Sequence, residues 1–253
     1  MSEQANKAQS ATQRRRGWLI PLGIVMIAAV LVVMVVLQQT DRNEAPAGSA
    51  GESTGETVEG ITVVPTDAPD LTQFEARNPA DVQAAGPIDA PVGMVIFSDY
   101  QCKYCAKFTH DTLPAIMKYA ESGDLRIEWR DVNMYGEPSR QGSLAAHAAG
   151  LQGRYWEFHD ALYPAGAPRP ATELTGEFLV NLAGEMGFDT EKFAADMANP
   201  EVNAQIDEIA ALGRQLGVTG TPSFLLGGRA LVGAQPTESF IDAIETALAA
   251  AQK

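Results

Sequence analysis

The chain has 253 residues and a formal net charge of −14 at pH 7, from 32 acidic against 18 basic residues. Nucleic-acid-binding proteins carry clustered Lys and Arg, so an acidic chain without a basic patch argues against nucleic acid as a partner. The length favours one folded domain with non-globular ends.

The N-terminal segment has the features of a membrane anchor. Residues 18–37 contain no charged side chain, and Arg14–Arg16 directly precede them. A helix of this length spans about 30 Å, the thickness of the bilayer hydrocarbon. The positive-inside rule then places residues 1–17 in the cytoplasm. We predict an uncleaved single-pass transmembrane helix over residues 18–37 of the cell membrane, with the later residues in an oxidising extracytoplasmic compartment.

Two alternatives stay open for this segment. A cleaved signal peptide normally has a shorter apolar region, and the small residues Ala45-Pro46-Ala47 lie well past the end of this one. A twin-arginine export signal matches only loosely, at residues 15–19. All three interpretations export the rest of the chain.

The segment after the anchor is small, polar and acidic. Residues 38–60 cannot bury enough apolar surface to order themselves, and we predict a flexible linker there. A folded domain is predicted over residues 61–253. It starts with a short edge strand at residues 61–65, followed by loops and turns over residues 66–91.

The first half of this domain predicts a strand, a helix and a second strand. Residues 92–97 are almost continuously apolar, as a buried parallel strand should be. Residues 106–120 favour a helix that Pro114 kinks and Gly123 ends. Residues 125–132 alternate and are rich in strand formers, which predicts the next strand.

The second half predicts a helical block and a hairpin. Helical patterns fill about residues 139–216, and they form an insertion between strands. Residues 223–233 are typical of a β-hairpin, with its turn at Gly227-Gly228. Thr237 is predicted to cap a final amphipathic helix.

Cys102 and Cys105 are the only cysteines, and they form a C-x-x-C directly after the first buried strand. Unpaired N–H groups at a helix N-terminus favour a thiolate, and two sulfurs at this spacing can close a disulfide and store two electrons. A zinc site would need further ligands, and His110, His147 and His159 lack the spacing of one. A structural disulfide that closes so short a loop constrains little chain entropy. Redox chemistry is therefore the leading interpretation.

Three motifs occur in an order that resembles a known family. They are residues 97–105 (FSDYQCKYC), 152–160 (QGRYWEFHD) and 217–224 (GVTGTPSF). With the predicted element order, they resemble the DsbA-like thiol:disulfide oxidoreductases of the thioredoxin superfamily over about residues 88–250. The resemblance implies an α/β thioredoxin fold with an inserted helical domain.

The resemblance also implies roles for four residues. The Thr221-Pro222 peptide bond should be cis and face the cysteines, with the backbone of Thr221 binding the incoming peptide. Cys102 should be the exposed, attacking sulfur, and Cys105 the buried, resolving one. The expected catalytic residues are therefore Cys102 and Cys105, and the expected substrate-binding residues are Thr221 and Pro222.

The chain departs from the family at one position. Many thioredoxin-fold enzymes have a buried carboxylate six residues before the first cysteine, where this chain has Ile96. Asp99, Lys103 and Tyr104 are candidates for tuning the cysteine pKa values. Asp99 is equally suited to a structural turn, and Lys103 has little effect if water screens its charge. The Lys103-Tyr104 dipeptide leaves the direction of electron flow open.

From these observations we expect an extracytoplasmic enzyme that donates disulfides to exported proteins, with no cofactor beyond the Cys102–Cys105 disulfide and no metal. A reductase or isomerase of the same fold is one alternative, and a redox-inert binding module or holdase for unfolded exported chains is another. The expected partners are exported protein or peptide thiols and a membrane oxidase or reductase. If the chain is an oxidant, the resemblance implies a quinone-linked oxidase.

Overall fold

The computed structural model describes residues 70–252. The predicted cytoplasmic segment, transmembrane helix and linker (residues 1–60) and the predicted edge strand (residues 61–65) lie outside the described residues. Within residues 70–252, no helix is both long and apolar enough to cross a membrane.

A five-stranded mixed sheet organises the fold, with the strand order β1-β3-β2-β4-β5. The strands are β1 (Ala84–Ala85), β2 (Val92–Ser98), β3 (Leu125–Asp131), β4 (Ser223–Leu226) and β5 (Arg229–Val232). β2 and β3 are parallel, and the other neighbouring pairs are antiparallel. Every residue of β2 and β3 is buried, because other parts of the domain pack against both faces of the sheet.

The described residues form eight α-helices. They are α1 (Lys103–Asp111), α2 (Leu113–Ser122), α3 (Glu137–Gly150), α4 (Tyr155–Ala161), α5 (Gly176–Glu185), α6 (Thr190–Ala198), α7 (Pro200–Gln215) and α8 (Thr237–Ala251). α1 and α2 connect β2 to β3, and α3 to α7 fill the connection from β3 to β4. This order confirms the predicted thioredoxin fold with an inserted helical block.

The helix predicted over residues 106–120 is wrong in detail, because the chain forms two helices there. α1 begins at Lys103 and ends at Asp111, and α2 begins at Leu113. Pro114 lies in the first turn of α2, where a missing N–H costs no helical hydrogen bond. Gly123 ends α2 with a φ of 91°, as predicted.

Two other details differ from the sequence prediction. β1 was missed, because its two alanines carry no strand signal; it pairs with β3 at Ala84–Glu128. Thr237 does not cap α8, since Pro236 occupies the N-cap position. The Thr237 hydroxyl instead lies 3.0 Å from the Thr112 hydroxyl and links α8 to the junction of α1 and α2.

The two faces of the sheet belong to different cores. Alternate residues of a strand point to opposite faces. Ile96 and Trp129 lie on the face of the larger core, which also contains Cys105. By the same alternation Ser98 and Asp131, the last residues of β2 and β3, point to this face. The smaller core on the other face comprises Val95, Phe97, Val132 and Leu225.

A buried charge network fastens the loop of residues 70–91 to β3. The Glu128 carboxylate accepts hydrogen bonds from the backbone N–H of Ala76 (2.8 Å) and of Arg77 (2.6 Å), and from Arg130 (2.8 Å). Arg130 also pairs with Asp81 at 2.7 Å. Glu128 and Arg130 of β3 are therefore buried against residues 70–91 and do not face solvent.

Candidate active site

The turn after β2 places Cys102 at the start of α1. Cys102 is the N-cap residue of this helix, and its N–H donates to the Asp99 carbonyl at 3.0 Å. The Cys102 carbonyl accepts from the N–H groups of Cys105 and Ala106, each at 3.1 Å. The sulfur of Cys102 therefore meets the unpaired N–H groups of a helix N-terminus, as predicted from the C-x-x-C position.

Asp99 holds this turn against the neighbouring segments. Its buried carboxylate accepts from the N–H of Gln101 (2.7 Å), the N–H of Met134 (2.5 Å) and the Ser139 hydroxyl (2.6 Å). Its bonds therefore join the turn to the loop after β3 and to the start of α3. Of the two roles left open for Asp99, the geometry favours the structural one.

The segment before β4 faces the cysteines. Antiparallel pairing of β2 with β4 sets Phe97 opposite Ser223, which brings residues 221 and 222 beside the start of α1. The Thr221-Pro222 peptide bond is cis, as the resemblance implies. The Thr221 carbonyl accepts a hydrogen bond from Cys102 Sγ at 3.2 Å.

The two cysteines are free thiols whose pKa values are shifted in opposite directions. The pKa of Cys102 is lowered to about 6, first because the Cys105 thiol donates to its thiolate. The Thr221 side chain and the N–H groups of Cys105 and Tyr104 add to this, and together they outweigh burial. Burial and the adjacent Cys102 charge raise the pKa of Cys105 well above its usual value. Cys102 is thus the more acidic thiol of the pair.

The expected exposure of Cys102 is wrong for the reduced structure. Cys102 is only 2% exposed and Cys105 is 0% exposed. The Thr221 carbonyl lies against the outer sulfur, 3.2 Å from Cys102 Sγ. Acidity, rather than exposure, distinguishes the two cysteines.

Lys103 and Tyr104 point away from the sulfurs. Both residues are exposed, Tyr104 by 53%. The Lys103 ammonium lies over the Tyr104 ring, 4.9 Å from its centroid. Tyr104 therefore affects Cys102 through its backbone N–H, and water screens the Lys103 charge.

The three histidines play no direct part at the sulfurs. His159 is fully buried, with Nδ1 3.1 Å from the Tyr100 hydroxyl and Nε2 3.3 Å from the Thr109 hydroxyl. Burial lowers its pKa to about 3, which keeps the ring neutral. His147 is also buried, and His110 pairs with Asp111 at the surface. Across residues 70–252, no cluster of His, Cys, Asp or Glu is suited to bind a metal ion.

Asp131 is the buried acid that sequence reasoning missed. It is 0% exposed, and it accepts from the indole N–H of Trp129 (2.9 Å) and from the Gln83 amide (3.1 Å). Burial raises its pKa to about 7, and the Asp99 charge adds to this. The only signal in the sequence was an acid at the end of a strand beside the one that leads to Cys102.

A C-x-x-C at a helix N-terminus, opposite a cis-proline that precedes an antiparallel strand, is the redox-site arrangement of the thioredoxin fold. Residues 78–246 match the family model described as Thioredoxin. The chain therefore belongs to the thioredoxin family, and the fold that the resemblance implies is confirmed.

Three known proteins illustrate this relationship. The Na(+)/H(+) antiporter NhaA 1 of Salinispora arenicola is 31% identical over 171 residues, which cover 65% of this chain and 24% of the antiporter. Disulfide bond formation protein D of Bacillus subtilis is 26% identical, over 58% of this chain and 68% of that protein. A solved thioredoxin-like oxidoreductase from Silicibacter pomeroyi is 30% identical with a TM-score of 0.57, covering 71% of this chain and 98% of that one. The chain thus spans about a quarter of the length of the antiporter relatives.

Proposed function

We propose that this chain is a protein thiol:disulfide oxidoreductase that donates disulfides to exported proteins. The observation that carries the proposal is the position of Cys102 at the N-terminus of α1, between Cys105 and the cis Thr221-Pro222 peptide. There the pKa of Cys102 is lowered and that of Cys105 is raised. A nucleophilic thiolate next to a protonated resolving thiol is the arrangement that thiol–disulfide exchange requires.

The proposed reaction transfers two electrons from a substrate dithiol to the oxidised pair. A substrate thiolate attacks Cys102 Sγ, the Cys102–Cys105 bond breaks, and Cys105 leaves as a thiolate that takes up a proton. A second substrate thiolate then attacks the substrate sulfur of the mixed disulfide, and Cys102 leaves as a thiolate. The substrate gains a disulfide, and the enzyme pair is reduced.

The acidity of Cys102 favours donation over the reverse reaction. A low pKa stabilises the reduced form of the pair, which makes its disulfide a stronger oxidant. The same low pKa makes Cys102 a good leaving group in the second step. A reductase of the same site would instead need a more stable disulfide.

The surroundings of the site support an extended polypeptide as the substrate. The backbone of Thr221 lies against Cys102 Sγ and is proposed to pair with the incoming peptide, with Pro222 beside it. Four large apolar or aromatic side chains near the site are exposed: Tyr104 (53%), Met134 (44%), Tyr135 (59%) and Val232 (67%). The Cys102 charge raises the pKa of Tyr135, so this phenol is close to the sulfurs. Such side chains suit the apolar residues of an unfolded chain.

The location and partners belong to the same proposal. The uncharged run over residues 18–37 supports a single-pass anchor, with residues 1–17 in the cytoplasm and the cysteines outside. A membrane oxidase would then return the pair to its disulfide form. Protease added to intact spheroplasts should cleave the catalytic domain but not an N-terminal tag; protection of the domain would contradict this topology.

Oxidation of a reduced two-cysteine peptide tests the activity. The full chain, first oxidised, should form the peptide disulfide stoichiometrically, and Cys102→Ser should abolish the reaction because it removes the attacked sulfur. Ser143→Ala, which removes a buried hydroxyl on α3, is the matched control and should react like the wild type. Peptide oxidation that survives in Cys102→Ser would overturn the proposal.

A further inference from the structure

The site has no carboxylate where many thioredoxin folds have one, because Ile96 occupies that position in the large core. Cys105 still has to exchange a proton, since burial raises its pKa and keeps it protonated in the reduced state. A buried thiol with no contact to water needs a protein group for that exchange. Two polar side chains on the same face of the sheet are placed to supply it.

Ser98 is the first of these side chains. It is 0% exposed, and its hydroxyl has no hydrogen-bond partner among the described residues of the reduced structure. A buried hydroxyl without a hydrogen-bond partner destabilises the folded state. Such a group therefore points to another state of the protein in which the hydroxyl is hydrogen-bonded. It lies near enough to Cys105 that a hydrogen bond from it would stabilise the thiolate and so lower the pKa of that cysteine.

Asp131 is the second. It pairs with Ser98 in the parallel register of β2 and β3, so the two side chains are neighbours on one face of the sheet. The groups that fix its carboxyl are the Trp129 indole and the Gln83 amide. Tyr163 is near both the acid and the thiol, since charge on either Cys105 or Asp131 raises the pKa of its phenol.

The other titratable or charged groups around Asp131 do not compete for this role. They are Asp99 and Tyr100 after β2, Arg130 on β3, Tyr155 on α4, Tyr163 after α4, and the buried His147 and His159. The three tyrosines have raised pKa values, and His159 is neutral because its pKa is lowered. Among these groups, Asp131 is the one whose pKa is raised to about 7, and it lies on the sheet face of the core that contains Cys105.

We propose that Ser98 and Asp131 together replace the missing acid at Ile96, with Asp131 exchanging a proton with Cys105 through the Ser98 hydroxyl. The proposal rests on the proposed function, since only thiol–disulfide exchange at Cys102 makes Cys105 gain or lose a proton.

The proton balance is simple in both directions. When a substrate thiolate breaks the Cys102–Cys105 bond, the Cys105 thiolate takes the Ser98 hydroxyl proton, and Ser98 is reprotonated by the Asp131 carboxyl group. When Cys105 instead resolves a mixed disulfide, its thiol proton passes to Ser98 and the Ser98 proton to the Asp131 carboxylate. The Cys105 thiolate then attacks Cys102 Sγ, the new disulfide forms, and the bound thiol leaves as a thiolate.

The lifetime of a mixed disulfide tests the relay. The reduced full chain is mixed with oxidised glutathione from pH 5 to pH 9, samples are quenched in acid, and mass spectrometry follows the glutathione adduct. In the wild type, resolution of the adduct should accelerate with pH through an inflection near the Asp131 pKa of about 7. Asp131→Asn and Ser98→Ala should each lose this inflection and slow resolution at pH 7.5 about tenfold or more. Neither should change the first step, the attack by Cys102.

The controls separate the relay from the proposed function and from misfolding. Ser143→Ala should keep the wild-type pH profile, because the Ser143 hydroxyl donates to the Asn133 side chain and the Ser139 carbonyl rather than to a cysteine. If the wild type forms no adduct, the proposed function itself fails; if Asp131→Asn resolves the adduct with the wild-type profile, only the relay fails. Infrared spectroscopy of the wild type needs no variant: a buried carboxyl band should titrate near pH 7, and its absence would overturn the relay.

Discussion

At the scale of single residues, the site depends on two pairs of chemically similar groups in different surroundings. Cys102 and Cys105 are separated by one helical turn, yet one meets N–H donors at a helix N-terminus while the other is buried beside it. Asp99 and Asp131 are both 0% exposed, but four donors from three segments surround Asp99 and only two bind Asp131. Asp99 is therefore fixed in its turn, whereas Asp131 has few donors to offset the burial that raises its pKa.

The first prediction concerns the thiolate. In the reduced full chain, the ultraviolet absorbance of a thiolate should appear with a midpoint near pH 6, the lowered pKa of Cys102. Cys102→Ser should remove this transition, because the pKa of Cys105 is raised. A single transition near pH 9, the value for an ordinary thiol, would show that the Cys105 thiol and the helix N-terminus do not stabilise the thiolate.

The second prediction concerns stability and pH. The pKa of Asp131 is raised in the folded chain from 3.8 to about 7, so the folded state binds more protons than the unfolded state between these values. Its contribution is therefore lost as the pH rises from about 4 to 7. Asp131→Asn cannot ionise, and its free energy of unfolding relative to the wild type should increase by a few kcal/mol, at most about 4, between pH 4 and pH 8. Urea unfolding of the two reduced chains measures this; a difference independent of pH would contradict the buried ionisation.

At the scale of secondary-structure elements, much of the fold could be predicted from sequence. The apolar run of β2, the glycine turn of the β4–β5 hairpin and the helical block follow from local patterns. β1 could not be predicted, because it exists only through pairing with Glu128 and Ile127 across the chain. The cysteine pair carried its own sequence signature. Ser98 and Asp131 did not, since their partnership depends on the register of two strands that the sequence cannot fix.

The third prediction tests the network that fastens residues 70–91 to β3. Glu128→Gln should lower the free energy of unfolding by about 3 kcal/mol, because it leaves Arg130 and the Arg126 guanidinium buried with one carboxylate fewer. Glu157→Gln, which breaks an ion pair with Arg154 at the surface, should cause no measurable change. Urea unfolding at neutral pH compares the two variants, and equal stabilities would show that the buried network is not stabilising.

At the scale of the whole molecule, the question is the direction of electron flow. The fold and the family are shared with proteins of different overall architecture, from a solved thioredoxin-like oxidoreductase to antiporters of which the match covers only a quarter. Fold alone therefore does not assign the direction. The stability of the reduced pair relative to the disulfide determines the direction of electron flow, because each contact that stabilises the Cys102 thiolate raises the reduction potential.

The most direct measurement is the reduction potential of the Cys102–Cys105 pair in the full chain, equilibrated in glutathione buffers and read by alkylation and mass spectrometry. A disulfide donor with a Cys102 pKa of about 6 should have a potential well above that of thioredoxin, in the range of roughly −180 to −120 mV. A value near about −270 mV or below would contradict donation and identify a reductant.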